Sequence, residues 1–311
     1  MTEVAKMNNK YLSWIFFSLI ILCALSLYSI GKRIQTNFVS QISRQEEPRL
    51  VEVHSTQELI RILNTYDLWN LEYKEKLPSK IIKNFPLDFK TIGNEEQKRT
   101  IFIHTILPSA LMALTEIEKE KNQLKQILSK FSENQRLTIS NVEKNLSSKE
   151  AKFIIHLTKK YRTSDLQELL KRVNVVPLSL LLAQAALESN WGTSRFALEG
   201  NNLFGIWTYK REGMIPLNRP PNTYHKVARY SSILQAVRDY LYNFNVGWAY
   251  DKFRTARLYT TDAEELVQYL PRYSQLGLIY TSRLKSIINT YNLKAYEARF
   301  KPYLAQLNLY N

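Results

Sequence analysis

From Pro177 to Ser189 the chain reads as a helix that is apolar on nearly every face. Only Gln184 and Glu188 place polar side chains well inside it. Leu180, Leu181, Leu182, Ala183, Ala185, Ala186 and Leu187 leave no side for water, so this helix must lie at the centre of its domain. Gln184 and Glu188 are four residues apart and share a face. That face is expected to border an internal cleft. A carboxylate there is costly to ionise, because burial penalises the charged form. Glu188 is therefore a candidate acid. The competing reading places it beyond the buried part, facing water, as carboxylates near helix ends commonly are. Pro177 suits the first helical turn, and Gly192 is expected to end the helix at positive φ.

The 311 residues suffice for one large domain or two modest ones. Forty-three basic against 28 acidic residues give a net charge of +15, which points to a polyanionic surface or polymer. Only 8 glycines are present, and neither GxGxxG nor GxxxxGK occurs, which excludes the common phosphate-cradling loops. The 4 histidines are scattered without metal-ligand spacing, so neither a metal nor any other cofactor is expected. Cys23 is the single cysteine, so no intramolecular disulfide can form.

Residues 11–31, from Tyr11 to Gly31, carry no charge and are rich in Ile, Leu and Phe. A helix of that length spans about 30 Å, which matches a bilayer's hydrocarbon core. We read it as an uncleaved transmembrane anchor. A cleaved signal peptide is the alternative, against which stand its length and the lack of a clean A-x-A site. Flanking bases (Lys6, Lys10, Lys32, Arg33) are too balanced to set orientation. The expected layout is a cytoplasmic N-terminus (1–10), the anchor (11–31), a polar linker (32–48), a helical N-terminal region (49–174), the main domain (175–293) and a helical tail (294–311).

Within the N-terminal region, Ser55 with Glu58, Asn94 with Gln97, Ser147 with Glu150, and Ser164 with Gln167 mark helix starts. From Asn94 an apolar stripe (Ile103, Leu107, Leu111, Leu114, Ile117, Leu124, Leu128, Phe131) predicts one long helix, or two joined at Pro108. Its opposite face, with Glu116, Glu118, Lys119, Glu120, Lys121 and Lys125, reads as solvated. Ile206–Tyr209 and Tyr224–Tyr230 read as two strands of a hairpin. The arm between them holds Lys210, Arg211, Glu212, Arg219 and Pro220-Pro221.

Ala185–Ser194 has the form A-x-x-E-S-x-W-G-x-S and is followed by Asn201-Asn202-Leu203-Phe204-Gly205. This pattern resembles the glucosaminidase domain of glycoside hydrolase family 73, and within it the Bax subfamily of bacterial cell-wall hydrolase-like proteins. The similarity runs from about Leu77 to Leu293. It implies a mainly α, lysozyme-like helical domain with a small β-hairpin lobe, and peptidoglycan glycan strands as substrate. Glu188 falls on the family's general acid. That role fits the residue's setting independently, since a low-polarity site keeps a carboxyl protonated toward neutral pH.

Other site residues follow from the resemblance or stay open. Tyr273 aligns with a position given an active-site role in relatives, and Tyr280 with a packing one, although Gln275-Leu276-Gly277 replaces the relatives' usual T-D-P. Gln184 could hold the Glu188 carboxyl, contact sugar or pack. Trp191 could stack on a sugar or wedge under the helix end, the commoner role of a buried ring. Asn202 could meet an N-acetyl group or form a turn. Phe204, which leads from the loop into the first strand, and Tyr280 are counted with these three as expected substrate-binding residues, and Tyr273 as a catalytic one beside Glu188. Many relatives carry a second acid on the far strand, where this chain reads Asn222-Thr223-Tyr224-His225. Glu212, Glu199 and Asp239 are weak substitutes; Glu199 could instead pair with Arg195, and Asp239 is expected to turn outward.

The expected activity is therefore a membrane-anchored β-N-acetylglucosaminidase of peptidoglycan, in the bacterial inner membrane and facing the periplasm or exterior. Either water attacks directly, or the substrate's N-acetyl oxygen assists. The alternatives are a lytic transglycosylase of related fold and a non-catalytic wall-binding protein. Nucleic acid is not an expected partner, since no recognition motif accompanies the basic charge.

Overall fold

The computed structural model describes residues 47–69, 77–131, 146–210, 212–217, 219–274 and 276–306, with side chains to 300. The expected anchor (11–31), Arg211 and Gln275 lie outside the described residues. Residues Pro48–Asn311 form one compact unit, mainly helical with two small sheets.

Its first strand, β1 (Arg49–Val51), pairs in parallel with β2 (Lys80–Ile82), placing Leu50 opposite Ile81. Between them lies α1 (Thr56–Thr65). Its N-cap, Ser55, accepts from the Glu58 amide, and the Glu58 carboxylate accepts from the His54 amide at 2.9 Å. Helix α2 (Glu95–Leu128) starts at Asn94, which accepts from the Gln97 amide at 3.0 Å, and runs unbroken through Pro108. It is long and apolar enough to cross a membrane, yet 89% of its apolar window is buried inside the fold, as in the core helix of a soluble unit.

The charged side of α2 is less solvated than its composition suggests. Glu116 takes a two-pronged bond from Arg238, at 3.0 Å to Nε and 2.5 Å to Nη2. Glu120 accepts from Lys160 at 2.7 Å and from the Tyr161 hydroxyl at 2.6 Å. Those partners lie on α3 (Ser148–Tyr161) and α7 (Ile233–Val246), so Glu116 and Glu120 belong to interfaces between helices, while Lys119 and Lys125 face water as expected. Helix α4 (Leu166–Arg172) starts one residue later than Ser164 predicts. Asp165 accepts from the Gln167 and Glu168 amides, and its charge also suits a helix N-terminus.

The apolar helix α5 (Leu178–Ser189) is central, with every residue from Leu178 to Ala186 buried. Around it pack α2, α9 (Ala263–Val267), α10 (Leu278–Thr290) and α11 (Leu293–Gln306). The tail helix α11 belongs to this core: Leu293 and Phe300 are buried, and Glu297 accepts from the Ser179 hydroxyl in the first turn of α5.

Asn190, not Gly192, caps the C-terminus of α5. Asn190, Trp191 and Gly192 are all left-handed, at φ 49°, 56° and 79°. A Cβ on Gly192 would lie 2.8 Å from the Phe102 ring. Trp191 packs edge-on against Phe102 of α2 and Tyr291 at the end of α10, at 5.6 and 4.7 Å between centroids, with the Arg99 guanidinium over the Trp191 and Tyr291 rings. The turn is thus locked into the joint between α2 and α10.

After α6 (Arg195–Gly200), the expected two-stranded hairpin is a three-stranded antiparallel sheet. Its order is β3 (Trp207–Thr208), β5 (Lys226–Ala228), β4 (Gly213–Met214). The arm contributes β4 because Met214, 5% exposed, is buried against Gly200 of α6 and draws the chain back onto the sheet. Beyond α7, a 3-10 turn (Trp248–Tyr250) and α8 (Asp251–Ala256) lead to α9.

Gly192→Ala is expected to lower unfolding free energy by about 1–3 kcal/mol, from backbone strain and overpacking against Phe102. Gly93→Ala, where a Cβ meets nothing within 4 Å, should stay near wild type. Denaturant midpoints of the two variants test this; equal midpoints contradict it.

Candidate active site

Glu188 lies in the last turn of α5 and is half-buried. One turn earlier Gln184 is fully buried, with 0% exposure, and both ends of its amide are occupied. Its Nε2 donates to the Tyr280 hydroxyl at 2.8 Å, and its Oε1 accepts from the Tyr240 hydroxyl at 2.5 Å. Tyr280, from α10, lies close enough to the Glu188 carboxyl to bear on its proton affinity. Of the polar line read from the sequence, Gln184 is tied by hydrogen bonds to Tyr240 and Tyr280.

The loop after α6 closes the other side. Gly205 has φ +65°, and a Cβ on it would stand 3.3 Å from Glu188 Oε2. The absence of a side chain at Gly205 keeps the space before the carboxyl clear. Asn202 holds this loop. Its Nδ2 donates to the carbonyls of Ile206 and Ala228 at 2.9 and 2.8 Å, and its Oδ1 accepts from the amides of Phe204 and Ile206. Of the two readings of Asn202, the structure supports the turn: all four of those bonds are internal and the side chain is buried. The Phe204 ring stacks on Tyr240 at 4.1 Å, inside the core.

Tyr273 donates to the Phe204 carbonyl at 2.9 Å and stacks on Tyr280, 5.4 Å between centroids and 5° from parallel. It therefore braces the loop, while Tyr280 is bonded to Gln184. Trp191 wedges under the end of α5, as described above. An exposed aromatic lies instead on the sheet, where Trp207, 53% exposed, stacks on His225 at 4.3 Å.

None of the three proposed second acids joins this group. Glu199 pairs with Arg195 at 3.7 Å on α6. Asp239 accepts from the Tyr230 hydroxyl at 2.6 Å, and Glu212 is exposed in the arm. The groups that bear electrostatically on Glu188 are the phenols of Tyr240, Tyr250, Tyr273 and Tyr280. Burial raises the Glu188 pKa, opposed in smaller measure by the nearby Tyr280 hydroxyl, and the net shift is upward. Burial likewise pushes Tyr250 up to about 12. Among the described residues no cluster of His, Cys, Asp and Glu is placed to hold a metal.

Sequence reasoning missed Tyr240, Tyr250 and Gly205. Tyr240 was within reach, because it lies three residues after Val237 on the inner face of α7. Tyr250 and Gly205 come to Glu188 only through tertiary packing.

Residues 163–293 match the glucosaminidase family, described as mannosyl-glycoprotein endo-beta-N-acetylglucosaminidase. The chain is 26% identical over 205 residues to protein bax of Escherichia coli K12, covering 63% of this chain and 71% of that protein. No solved structure gives a significant match. With the matched segment running from α4 to the start of α11 and enclosing Glu188 and its tyrosines, the chain carries a glucosaminidase-family domain and is a distant homologue of protein bax.

Proposed function

We propose that the protein is a peptidoglycan glycoside hydrolase that cleaves the β-1,4 bond after N-acetylglucosamine, with Glu188 as general acid. The observation that carries this reading is Glu188 itself, a half-buried carboxyl at the end of the central helix, within the family-matched segment and with burial raising its pKa. The mainly helical unit with its small sheet suits a lysozyme-like arrangement, with the sheet beside the cleft. Residues 11–31 serve as a membrane anchor, and the catalytic unit faces the periplasm or exterior, where the wall is.

The surroundings of Glu188 favour assistance by the substrate over attack by an independently activated water. With no carboxylate beside Glu188 among the described residues, the N-acetyl oxygen of the cleaved sugar attacks its own C1. Glu188 protonates the leaving oxygen as the C1–O bond breaks. The Glu188 carboxylate then takes a proton from the water that opens the cyclic intermediate. One carboxyl acts as acid and then as base.

Full-length protein in detergent, incubated with murein sacculi, should release fragments with N-acetylglucosamine at the reducing end, read by mass spectrometry. Glu188→Gln should lower the rate about 100-fold or more while folding normally, since removing a buried charge does not weaken the fold. Fragments ending in 1,6-anhydro-muramyl groups would instead indicate a lytic transglycosylase. Equal products from wild type and variant would indicate a wall-binding protein without activity.

The sign of the pH dependence follows from the raised pKa. The protonated, active form of Glu188 persists to higher pH than in free glutamic acid, and the rate falls as pH rises through the elevated value. The alkaline limb of kcat/KM should lie above ~4.3, the usual Glu pKa. A limb at or below that value contradicts the assignment.

Gly205→Ala places a methyl group against Glu188 Oε2, so kcat should drop about tenfold or more in the same assay. An unchanged kcat would show that the bond is not cleaved on that side of the carboxyl.

A further inference from the structure

We infer that the outer side of the small sheet is a subsite for a stem-bearing murein strand, in which Trp207, backed by His225, stacks on a sugar ring next to the cleaved bond. The choice of ligand rests on the hydrolase reading of Glu188; the binding itself can be measured without turnover.

The strand that carries Trp207 begins beside the carboxyl. Gly205 stands so near that a Cβ on it would lie 3.3 Å from Glu188 Oε2. The ladder starts with the next residue, where the Ala228 amide donates to the Ile206 carbonyl at 2.9 Å. Ile206 and Thr208 turn inward and are buried, so Trp207 and Tyr209 fall on the outer side, at 53% and 71% exposure. Two residues of strand span about 7 Å. Trp207 is thus within reach of a sugar adjoining the bond that Glu188 faces.

One face of the indole is already covered. His225, just before β5, stacks on it 4.3 Å between centroids and 16° from parallel. The His225 backbone is held in turn, its carbonyl accepting from Arg219 at 3.4 Å. The opposite face of the indole is the one left to solvent, in a plane fixed before any ligand arrives. Burying a side chain of that size is worth about 2 kcal/mol. A ligand with a flat apolar face gains that energy without first having to order the ring. A pyranose offers such a face, because its axial C–H bonds present slightly positive hydrogens to the negative face of a π system.

Charge selects among glycans. Residues 201–230 hold five bases, Lys210, Arg211, Arg219, Lys226 and Arg229, against one acid, Glu212. Lys210 and Arg229 are exposed, and Arg219 and Lys226 half-buried. A neutral amino-sugar polymer makes no use of that excess, whereas the peptide stems of a murein strand carry carboxylates alongside the sugars. The position beside Glu188 favours such a strand over an anionic membrane or a second copy of this chain.

The test uses full-length Glu188→Gln protein in detergent, so that bound strands persist. Calorimetry follows two probes, soluble murein strands bearing their stems and an uncharged N-acetylglucosamine oligosaccharide. Adding Trp207→Ala should weaken both about tenfold, the scale of one buried ring, and Trp207→Phe should recover part of the loss. Adding His225→Ala should weaken both about threefold, because the indole loses its fixed plane. Lys210→Gln together with Lys226→Gln should weaken only the stem-bearing strands, by about threefold, and added salt should act in the same direction. With Glu188 in place, Trp207→Ala should lower kcat/KM about tenfold and leave the products the same.

Unchanged affinity for both probes on adding Trp207→Ala overturns the inference, as does binding of neither probe by the Glu188→Gln parent. If Trp207→Ala instead alters binding to vesicles of anionic lipid, or the sedimentation of a dimer, and leaves the strands unaffected, the indole serves a membrane or a second copy and the inference falls. If strands bind through Trp207 while the wild type releases no fragments, the hydrolase reading fails and the subsite stands.

Discussion

An amide and a carboxyl group on an otherwise apolar helix must each find partners, because an unpaired buried polar group costs on the order of 1–3 kcal/mol. In α5 that requirement falls on Gln184 and Glu188, and it constrains the elements around them. Helix α7 must bring Tyr240 to one end of the amide, and α10 must bring Tyr280 to the other. The loop after α6 must pass close to the carboxyl with no side chain at Gly205. Asn202 and Tyr273 hold that loop by bonds to its backbone. Nothing in this group is a bare apolar contact, so its members share one geometry.

The same constraint explains why Trp191 is structural. The end of α5 has to stop sharply to present Glu188 and then turn back into α6. Three successive left-handed residues make that turn, and the Trp191 ring, caught between Phe102 and Tyr291, holds it. The motif surrounding Glu188 therefore mixes two jobs in adjacent positions. Glu188 carries the proposed chemistry, while Trp191 and Gly192 fix where the chemistry is presented.

Much of this was legible in the sequence where a local rule applied. The central place of α5 followed from its lack of a polar face, and the helix starts at Ser55, Asn94 and Ser147 from their side-chain acceptors. Rules of that kind do not see partners contributed from far along the chain. The charged side of α2 looked solvated because Arg238 and Lys160, which cover Glu116 and Glu120, are not nearby in sequence. The strand around Met214 was hidden inside an arm of basic residues and prolines, and only the burial of one side chain draws it into the sheet. Tyr273 and Tyr280 were singled out in the sequence, but their partners, the Phe204 carbonyl for one and Gln184 for the other, depend on how α10 lies against α5. The three candidate acids are each elsewhere for a local reason: Glu199 pairs with Arg195, Asp239 accepts from Tyr230, and Glu212 is exposed in the arm.

One carboxyl and four neutral phenols among the described residues limit the chemistry proposed for this site. Such a group can give a proton and take one back, and among the described residues no second carboxylate stands beside it to hold a water on the opposite face of the sugar. Substrate assistance meets that limit, and it leaves a stereochemical signature. Water opens the cyclic intermediate on the face the leaving group vacated, so configuration at C1 is retained. Proton NMR of the first anomer formed from soluble glycan strands is the most direct measurement. The account predicts that the β-anomer appears first and the α-anomer grows in only by mutarotation. Initial release of the α-anomer would mean inversion by a separately activated water, and would contradict the claim that Glu188 acts without a carboxylate partner.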